Sequence, residues 1–347
     1  MNCTTAIALS GGIDSLVSAY LLKEQGRKVI GVHFITGYES DSAHLIENIG
    51  HALGISVELI DCSAEFQSEV VDYFIRTYLN GQTPNPCLVC NPSVKFGTVL
   101  SAAREQGASC LATGHYARII KDTSGRFHLH RGTDLKKDQS YFLAFLSQDQ
   151  LAQACFPIGN MTKDQVRKLA GEKKLYPAIK EESQDVCFIK GTTYGEFLTL
   201  HGAEPKPGSV VDVRGNVLGK HNGLHLFTVG QRRGINCPAS EPYYVVRIDS
   251  AKNRLVVGFK KDMLSSECRV TGINWICKEP EFPVHNVLTR LRYRHSGALS
   301  TVYPAGRHTV VVRFEAPQTA ITPGQGAVFY REDEVLGGGI ITGGNHK

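Results

Sequence analysis

The run T-A-I-A-L-S-G-G-I-D-S-L-V-S-A-Y-L-L over Thr5–Leu22 admits few folds. It opens on a short apolar stretch, passes through a tight turn, and continues with Leu16, Val17, Ala19, Tyr20, Leu21 and Leu22 at helical spacing. The unit is strand, turn, helix. Adjacent Gly11 and Gly12 let the backbone close on a ligand, and the helix start behind them offers unpaired N–H groups and positive dipole. An anion suits such a turn, and phosphate most of all.

The alternation continues. Lys28–Ile35 reads as a strand, Asp41–Leu53 as a helix, Ser56–Ile60 as a strand and Ala64–Leu79 as an amphipathic helix. Pro92–Gln106 reads as another helix and Ser109–Thr113 as a strand. This pattern predicts an α/β fold: a Rossmann-like parallel sheet with helices on both faces. Right-handed crossovers then bring Ser10–Ser15, Phe34, Gly114 and His115 to one crevice at the carboxyl ends of the strands.

Between these elements, Gly81–Val94 (G-Q-T-P-N-P-C-L-V-C-N-P-S-V) carries three prolines and two asparagines and is predicted to be a loop. Lys136–Leu143 (K-K-D-Q-S-Y-F-L) suits an exposed helix start or RNA contact, and its charges favour RNA. A helix capped by Thr162 runs to Leu175, and Glu181–Lys190 reads as loop and short strand carrying Cys187 after the last helix. Helical periodicity stops near residue 204. Residues 1–204 are therefore the α/β unit, 205–265 a central small β domain and 266–347 a β-barrel-like domain. In the last, strands fall near Asn286–Arg294, His308–Phe314 and Gly326–Tyr330, and its R-Y-R-H strand offers a basic surface.

A chain of 347 residues, 42% hydrophobic and 20% charged, can fill several cores. Its net charge of +5 is compatible with an RNA partner without arguing for one. No apolar run is long enough to span a membrane and no basic-then-apolar leader is present, so a cytoplasmic location is expected. Ten cysteines in such a chain are thiols, metal ligands or catalytic groups before they are disulfides. Cys3, Cys62, Cys110, Cys155, Cys237, Cys268 and Cys277 stand alone and read as small buried side chains.

Cys87 and Cys90, spaced C-x-x-C, and Cys187 are different. A zinc site lacks a recognisable fourth ligand, and the flanking prolines oppose a thioredoxin-like pair. Two chemistries stay open. One thiol could carry sulfur as a persulfide while a second resolves the link, or three thiolates could hold an iron–sulfur cluster of 4Fe–4S or 3Fe–4S type, leaving one iron free for sulfide.

The turn lacks the lysine of the Walker loop and the third glycine of the dinucleotide fingerprint. It resembles S-G-G-x-D-S, the pyrophosphate loop of ATP pyrophosphatases, which cut ATP between its α and β phosphates and adenylate a substrate oxygen. That resemblance implies that Ser10 and Ser15 offer hydroxyls to the phosphates while Asp14 orients them or meets Mg²⁺.

Over essentially its full length the chain resembles the tRNA-specific 2-thiouridylase family. The likeness rests on S-G-G-I-D-S, T-P-N-P-C-L-V-C-N with K-F after it, A-T-G-H-Y and K-D-Q-S-Y-F-L, followed by V-C-F-I, T-V-G-Q-R-R-G, R-Y-R and T-P-G-Q with G-G-G-I-I. It implies ATP-dependent replacement of O2 by sulfur on the wobble uridine of tRNA, fed by a sulfur-donor protein or inorganic sulfide and read at the anticodon arm. By position, Cys90 matches the nucleophile and Cys187 the persulfide carrier, the two ending as a disulfide. Asn85, Pro86 and Cys87 match the contact with the target base. His115, Lys137, Asp138, Gln139, Arg292, Tyr293 and Gln325 match tRNA contacts. Ala8, Leu9, Ser10, Gly11, Gly12, Ile13, Asp14, Ser15, Phe34 and Gly114 match the ATP site.

Two departures stand out. Many family members have aspartate where this chain has Cys87, and the connection from Phe34 to Leu45 is shortened. A small-molecule ATP pyrophosphatase or synthetase and a non-catalytic RNA-binding protein are the competing readings. Neither uses the thiols.

Overall fold

The computed structural model describes residues 4–39, 43–177 and 186–344. Strands β1 (Thr4–Ala8), β2 (Lys28–Ile35), β3 (Val57–Asp61) and β4 (Ala108–Ala112) form a parallel sheet. A hairpin of β5 (Ala117–Lys121) and β6 (Phe127–Arg131) follows, and β7 (Ala154–Cys155) returns to the sheet beside β4. The order is β3-β2-β1-β4-β7. Ala6 and Ile7 of β1 are wholly buried, as expected for a strand covered on both faces. Because the chain leaves β1 toward β2 on one side and β4 flanks the other, the switch point lies at the carboxyl ends of β1 and β4.

A second sheet joins β8 (Gly208–Asp212), β9 (Val217–His221), β10 (Tyr244–Asp249) and β11 (Arg254–Gly258) in the order β10-β11-β8-β9. The remaining strands are β12 (Leu264–Trp275), β13 (Val284–Arg290), β14 (Ala298–Pro304), β15 (Thr309–Thr319), β16 (Gly326–Arg331) and β17 (Glu334–Gly344). They run β12-β15-β14-β13-β16-β17, and pairing of β17 with β12 closes the ring. Closure needs bare backbone: a Cβ on Gly337 would stand 2.2 Å from the carbonyl oxygen of Asn274. The β5–β6 hairpin hangs on this barrel through β6, with His130 opposite Glu334 and Leu129 opposite Val335. The C-terminal sheet thus takes two strands from within residues 1–204. No helix among the described residues is long and apolar enough to cross a membrane.

Several elements depart from the sequence reading. Gly81–Val94 is not a loop throughout: Pro86–Cys90 is α-helical, and the helix widens into a π-helical stretch over Asn91–Val99. Pro86 occupies the first turn, where its missing N–H costs nothing. Pro92, whose missing donor would break an α-helix, sits where the helix widens. The helix read over Ala64–Leu79 likewise contains a π turn at Gln67–Val71. Of Glu181–Lys190, residues 181–185 lie outside the described residues and the rest is a turn rather than a strand. A further helix, Tyr194–Leu200, follows Cys187. The strand read to Arg294 ends at Arg290, so Arg292 and Tyr293 lie in a turn.

Candidate active site

The chain leaves β1 into a turn that bonds largely to itself. Gly11 takes φ +81°, a conformation that favours glycine, and Gly12 caps the helix Ile13–Glu24 in an extended conformation. The Ser15 hydroxyl donates to the Gly12 carbonyl at 2.9 Å and accepts from the Ser10 N–H at 3.3 Å. Gly114, just beyond β4, packs flat against this turn: a Cβ there would stand 2.9 Å from the Asp14 carbonyl carbon and the Ser15 nitrogen. Phe34 lies near the end of β2.

Asp14 has two partners that sequence reasoning missed. The Lys163 ammonium donates to both carboxylate oxygens, at 2.9 and 2.8 Å, and the Tyr116 hydroxyl donates to Oδ1 at 2.7 Å. Lys163 is only 5% exposed. A trace was present in the sequence, since a lysine at the first helical position after the cap Thr162 opposes the helix dipole and asks for a compensating anion.

The thiol-bearing segment is held differently. Thr83 N–H donates to the Pro323 carbonyl at 2.8 Å. The Gln325 side-chain amide donates to the carbonyls of Thr83 and Pro84, at 3.1 and 3.0 Å. Gly324 lets the two segments touch, because a Cβ there would be 2.7 Å from the Thr83 oxygen. Inside the helix, Asn91 Nδ2 donates to the Cys87 and Phe142 carbonyls at 3.0 and 2.9 Å. Gln150 Nε2 donates to the Pro92 and Phe96 carbonyls at 2.7 and 3.0 Å.

Cys90 is buried, while Cys87 and Cys187 are open to water. Cys187 sits in a turn anchored by Phe188, which is 3% exposed and packs on Phe66, Phe74 and Phe197. Burial pushes the Cys90 thiol up to about 12, with the Lys95 cation pulling the other way and the Cys187 and Cys87 sulfurs adding to the rise. Burial likewise raises Cys87 and Cys187, and Lys95 again opposes it. Both sulfurs are water-accessible yet hemmed in by protein, which describes the wall of a cleft. The three thiols and Lys95 therefore occupy one electrostatic neighbourhood. The π-helical stretch contributes, since its wider turn brings Lys95, five residues after Cys90, nearer to the Cys90 face than an α-helix would.

His115 lies between the two halves of the site. It follows Gly114, is buried, and makes a 2.7 Å hydrogen bond from Nδ1 to the Thr113 hydroxyl. Burial, assisted by Lys95, holds its pKa well below the ordinary histidine value, so the ring is neutral.

The expected RNA-contact residues divide. Asp138 is 2% exposed and receives Arg131 Nε at 3.2 Å, Arg290 Nη1 at 3.0 Å and the N–H groups of Gly132 and Ser140. It joins β6 to β13 from inside, and Ser140–Leu143 is a short 3₁₀ turn bonded to β16 in place of the exposed segment expected. Gln139 and Tyr116 exchange bonds, with Oε1 accepting at 3.0 Å and the Gln139 N–H donating at 2.9 Å. Tyr293 packs on Phe142 with ring centroids 4.4 Å apart. Arg292 and Arg294 are exposed beside a shallow cavity of about 360 Å³ lined by Arg131, Lys136, Arg290 and Tyr293.

A glycine turn at the switch point of a parallel sheet, followed by a small β sheet and a closed barrel, places the protein among the multidomain nucleotide-binding α/β enzymes. Three family models match in succession. They are the tRNA methyl transferase HUP domain over residues 3–191, the tRNA methyl transferase PRC-barrel domain over 195–259 and the aminomethyltransferase beta-barrel domain over 265–341. The tRNA-specific 2-thiouridylase MnmA of Desulfosudis oleivorans is 51% identical, covering 98% of this chain and 95% of that one. The enzymes of the same description from Syntrophotalea carbinolica (44% identical, 96% of this chain and 97% of that one) and Geobacter metallireducens (42%, 96% and 95%) are similar over comparable lengths. The chain belongs to the tRNA-specific 2-thiouridylase family.

Proposed function

We infer that the protein is an ATP-dependent sulfurtransferase that replaces O2 of the wobble uridine of tRNA with sulfur, and that Cys90 and Cys187 carry the sulfur chemistry. What supports this reading is the shared neighbourhood of Cys90, Cys187 and Lys95, which reaches the nucleotide turn through His115 and Gly114.

The uridine O2 attacks the α-phosphorus of ATP, and pyrophosphate leaves. Backbone N–H groups at the start of Ile13–Glu24 and the Ser10 hydroxyl would meet the charge that develops on the departing phosphates, while Ser15 and Lys163 hold the turn through the Gly12 carbonyl and the Asp14 carboxylate. The carbonyl oxygen has become part of AMP, a far better leaving group. The terminal sulfur of a Cys187 persulfide attacks C2 and displaces AMP. The Cys90 thiolate then attacks Cys187 Sγ, breaking the S–S bond: C2 keeps the outer sulfur as a thiocarbonyl, and a Cys90–Cys187 disulfide forms. A two-electron reductant must reopen it. The persulfide comes from a sulfur-donor protein that hands over sulfur already at the persulfide level, or from inorganic sulfide attacking Cys187 Sγ of the Cys90–Cys187 disulfide, which breaks the S–S bond and releases the Cys90 thiolate. Lys95 favours each anionic sulfur in turn.

Mg²⁺ would accompany the triphosphate and neutralise phosphate charge; Asp14 would hold it only by exchanging its bonds to Lys163 and Tyr116. A second reading follows from the third thiol. Cys87 shares the electrostatic environment of Cys90 and Cys187, and three thiolates are a donor set that suits an iron–sulfur cluster, which would supply an iron open to sulfide. The exposed cations around the 360 Å³ cavity suit the phosphates of the anticodon arm.

One incubation tests the reading. Anticodon stem-loop RNA, ATP and a sulfur source should give RNA heavier by the exchange of oxygen for sulfur, with AMP and pyrophosphate in equal amounts. Cys90→Ala and Cys187→Ala should abolish the mass gain while leaving RNA binding intact; thiolation by either variant overturns the assignment. Full activity in iron-free protein removes the cluster. Pyrophosphate release without RNA would mark a small-molecule synthetase instead.

A further inference from the structure

Away from the thiol cleft, the β5–β6 hairpin, the segment after β12 and the start of β17 bring three ligand-type side chains together: His128, Cys277 and Glu334. Their donor atoms all lie within 4.8 Å of one another, and no other such group of His, Cys, Asp or Glu occurs among the described residues. His128 Nδ1 is 2.7 Å from Glu334 Oε1. Cys277 Sγ is 3.5 Å from Nδ1 and 3.8 Å from Nε2. On the other side of the ring, Nε2 lies 3.2 Å from Asp122 Oδ2, and Asp122 is fixed by the Ser124 hydroxyl at 2.8 Å and the Arg126 N–H at 2.9 Å.

We propose that His128 Nδ1, Cys277 Sγ and Glu334 Oε1 form a zinc site whose fourth position is left to water. Zinc bonds of about 2.0 Å to nitrogen, 2.3 Å to sulfur and 2.1 Å to oxygen, arranged tetrahedrally, separate the ligand atoms by roughly 3.3–3.7 Å. The sulfur–nitrogen pair already has that spacing. The nitrogen–oxygen pair is closer because a proton holds it together, and opens when the ion takes the proton's place. Near-equal distances to the two ring nitrogens put Sγ over the ring face, so Cys277 must move toward the ring plane to bind.

Imidazole, thiolate and carboxylate together favour zinc over calcium or magnesium. Asp122 completes the arrangement: a carboxylate on Nε2–H fixes the tautomer that turns the Nδ1 lone pair to the ion. The His128 and Glu334 side chains are 25% and 29% accessible, which leaves a way in. Binding one Zn²⁺ releases the Cys277 thiol proton and the proton shared by Nδ1 and Glu334, with no change of oxidation state. The ion would clip the hairpin of the α/β unit to two segments of the barrel. Its role is structural, and it touches neither the nucleotide turn nor the reactive thiols.

The test uses the full chain, stripped with chelator and then titrated with Zn²⁺ alone or Co²⁺ alone, the latter reporting a sulfur ligand by thiolate-to-cobalt charge-transfer absorption. A Cys87→Ser/Cys90→Ser/Cys187→Ser variant removes the cleft thiols. That variant should bind one equivalent and keep the absorption band, and adding Cys277→Ser should abolish both. Asp122→Asn should weaken zinc binding by about 10–100-fold. Zinc should raise the melting temperature of the unsubstituted chain but not of Cys277→Ser, which should melt like the metal-free parent. A band that survives Cys277→Ser, a band that disappears with the cleft thiols, or no bound equivalent overturns the proposal.

Discussion

Between Ser10 and Ser15 the chain bonds chiefly to itself, whereas the backbone around Cys87 and Cys90 is fastened by Pro323, Gln325, Phe142 and Gln150. The nucleotide turn is a local device, built from two glycines, two hydroxyls and a helix start. The thiol segment is a composite, placed by a barrel whose strands come more than two hundred residues later. Damage to the barrel should therefore reach the thiols and spare the turn, and damage at Gly114 should do the reverse.

The largest effect should come from the ion-pair hub that joins hairpin and barrel. Asp138→Asn leaves Arg131 and Arg290 facing one another without their carboxylate, and breaking a buried pair in this way costs about 3–5 kcal/mol. Denaturant unfolding reads this directly. An unchanged midpoint would mean that the arginines find water and that the junction is looser than its burial implies.

Gly114→Ala sharpens the contrast from the other side. The added methyl must displace the Asp14–Ser15 backbone, and a shift of about 1 Å at a reacting centre can cost 10²-fold. RNA-dependent pyrophosphate release should fall by about that factor while alkylation of Cys87 and Cys187 keeps its rate. Gln325→Leu is the converse: two carbonyls lose their donor, worth about 1–3 kcal/mol. Sulfur transfer should slow with pyrophosphate release unaffected, and equal loss of both steps would mean that the two halves of the site move as one.

The same contrast governs what the sequence disclosed. The backbone of the turn was legible because its two glycines and two hydroxyls lie within a few positions, whereas Gly114, Tyr116 and Lys163, which pack on it or bond to Asp14, lie far along the chain. The thiol segment was legible as chemistry but not as structure: three prolines argued for a loop, yet Pro86 fits the first helical turn and a π-helical stretch accommodates Pro92. Asp138 looked like a surface charge in K-K-D-Q because Arg131 and Arg290, which bury it, show no pattern linking them to it. The β5–β6 hairpin was missed in the reading, and its docking on β17 had no periodicity to announce it, because that strand lies two hundred residues away. Lys163 left a faint trace in the helix dipole. Lys95 stood in the K-F that follows the C-x-x-C run, but its place beside the sulfurs was not legible, because the π-helical register turns it toward them.

His115 gives the smallest effect and the one that touches both regions, standing between Gly114 and the field of Lys95. Its ring is neutral in the native protein because burial, then Lys95, depresses its pKa below the ordinary value of 6.5. As pH falls through that value the unfolded chain takes up a proton here that the native chain refuses. Stability is present above about 6.5 and is lost on acidification, by at most about 1.4 kcal/mol per pH unit, until the native ring protonates. His115→Asn should flatten this part of the stability curve, read as the difference in urea-midpoint slope between variant and parent so that other buried histidines cancel. Lys95→Gln should leave the onset where it is and raise only a little the pH at which the loss ends, since burial is the larger cause. If the His115→Asn slope matches the parent's, the ring titrates as it would in water, and the two halves of the site are joined by backbone alone.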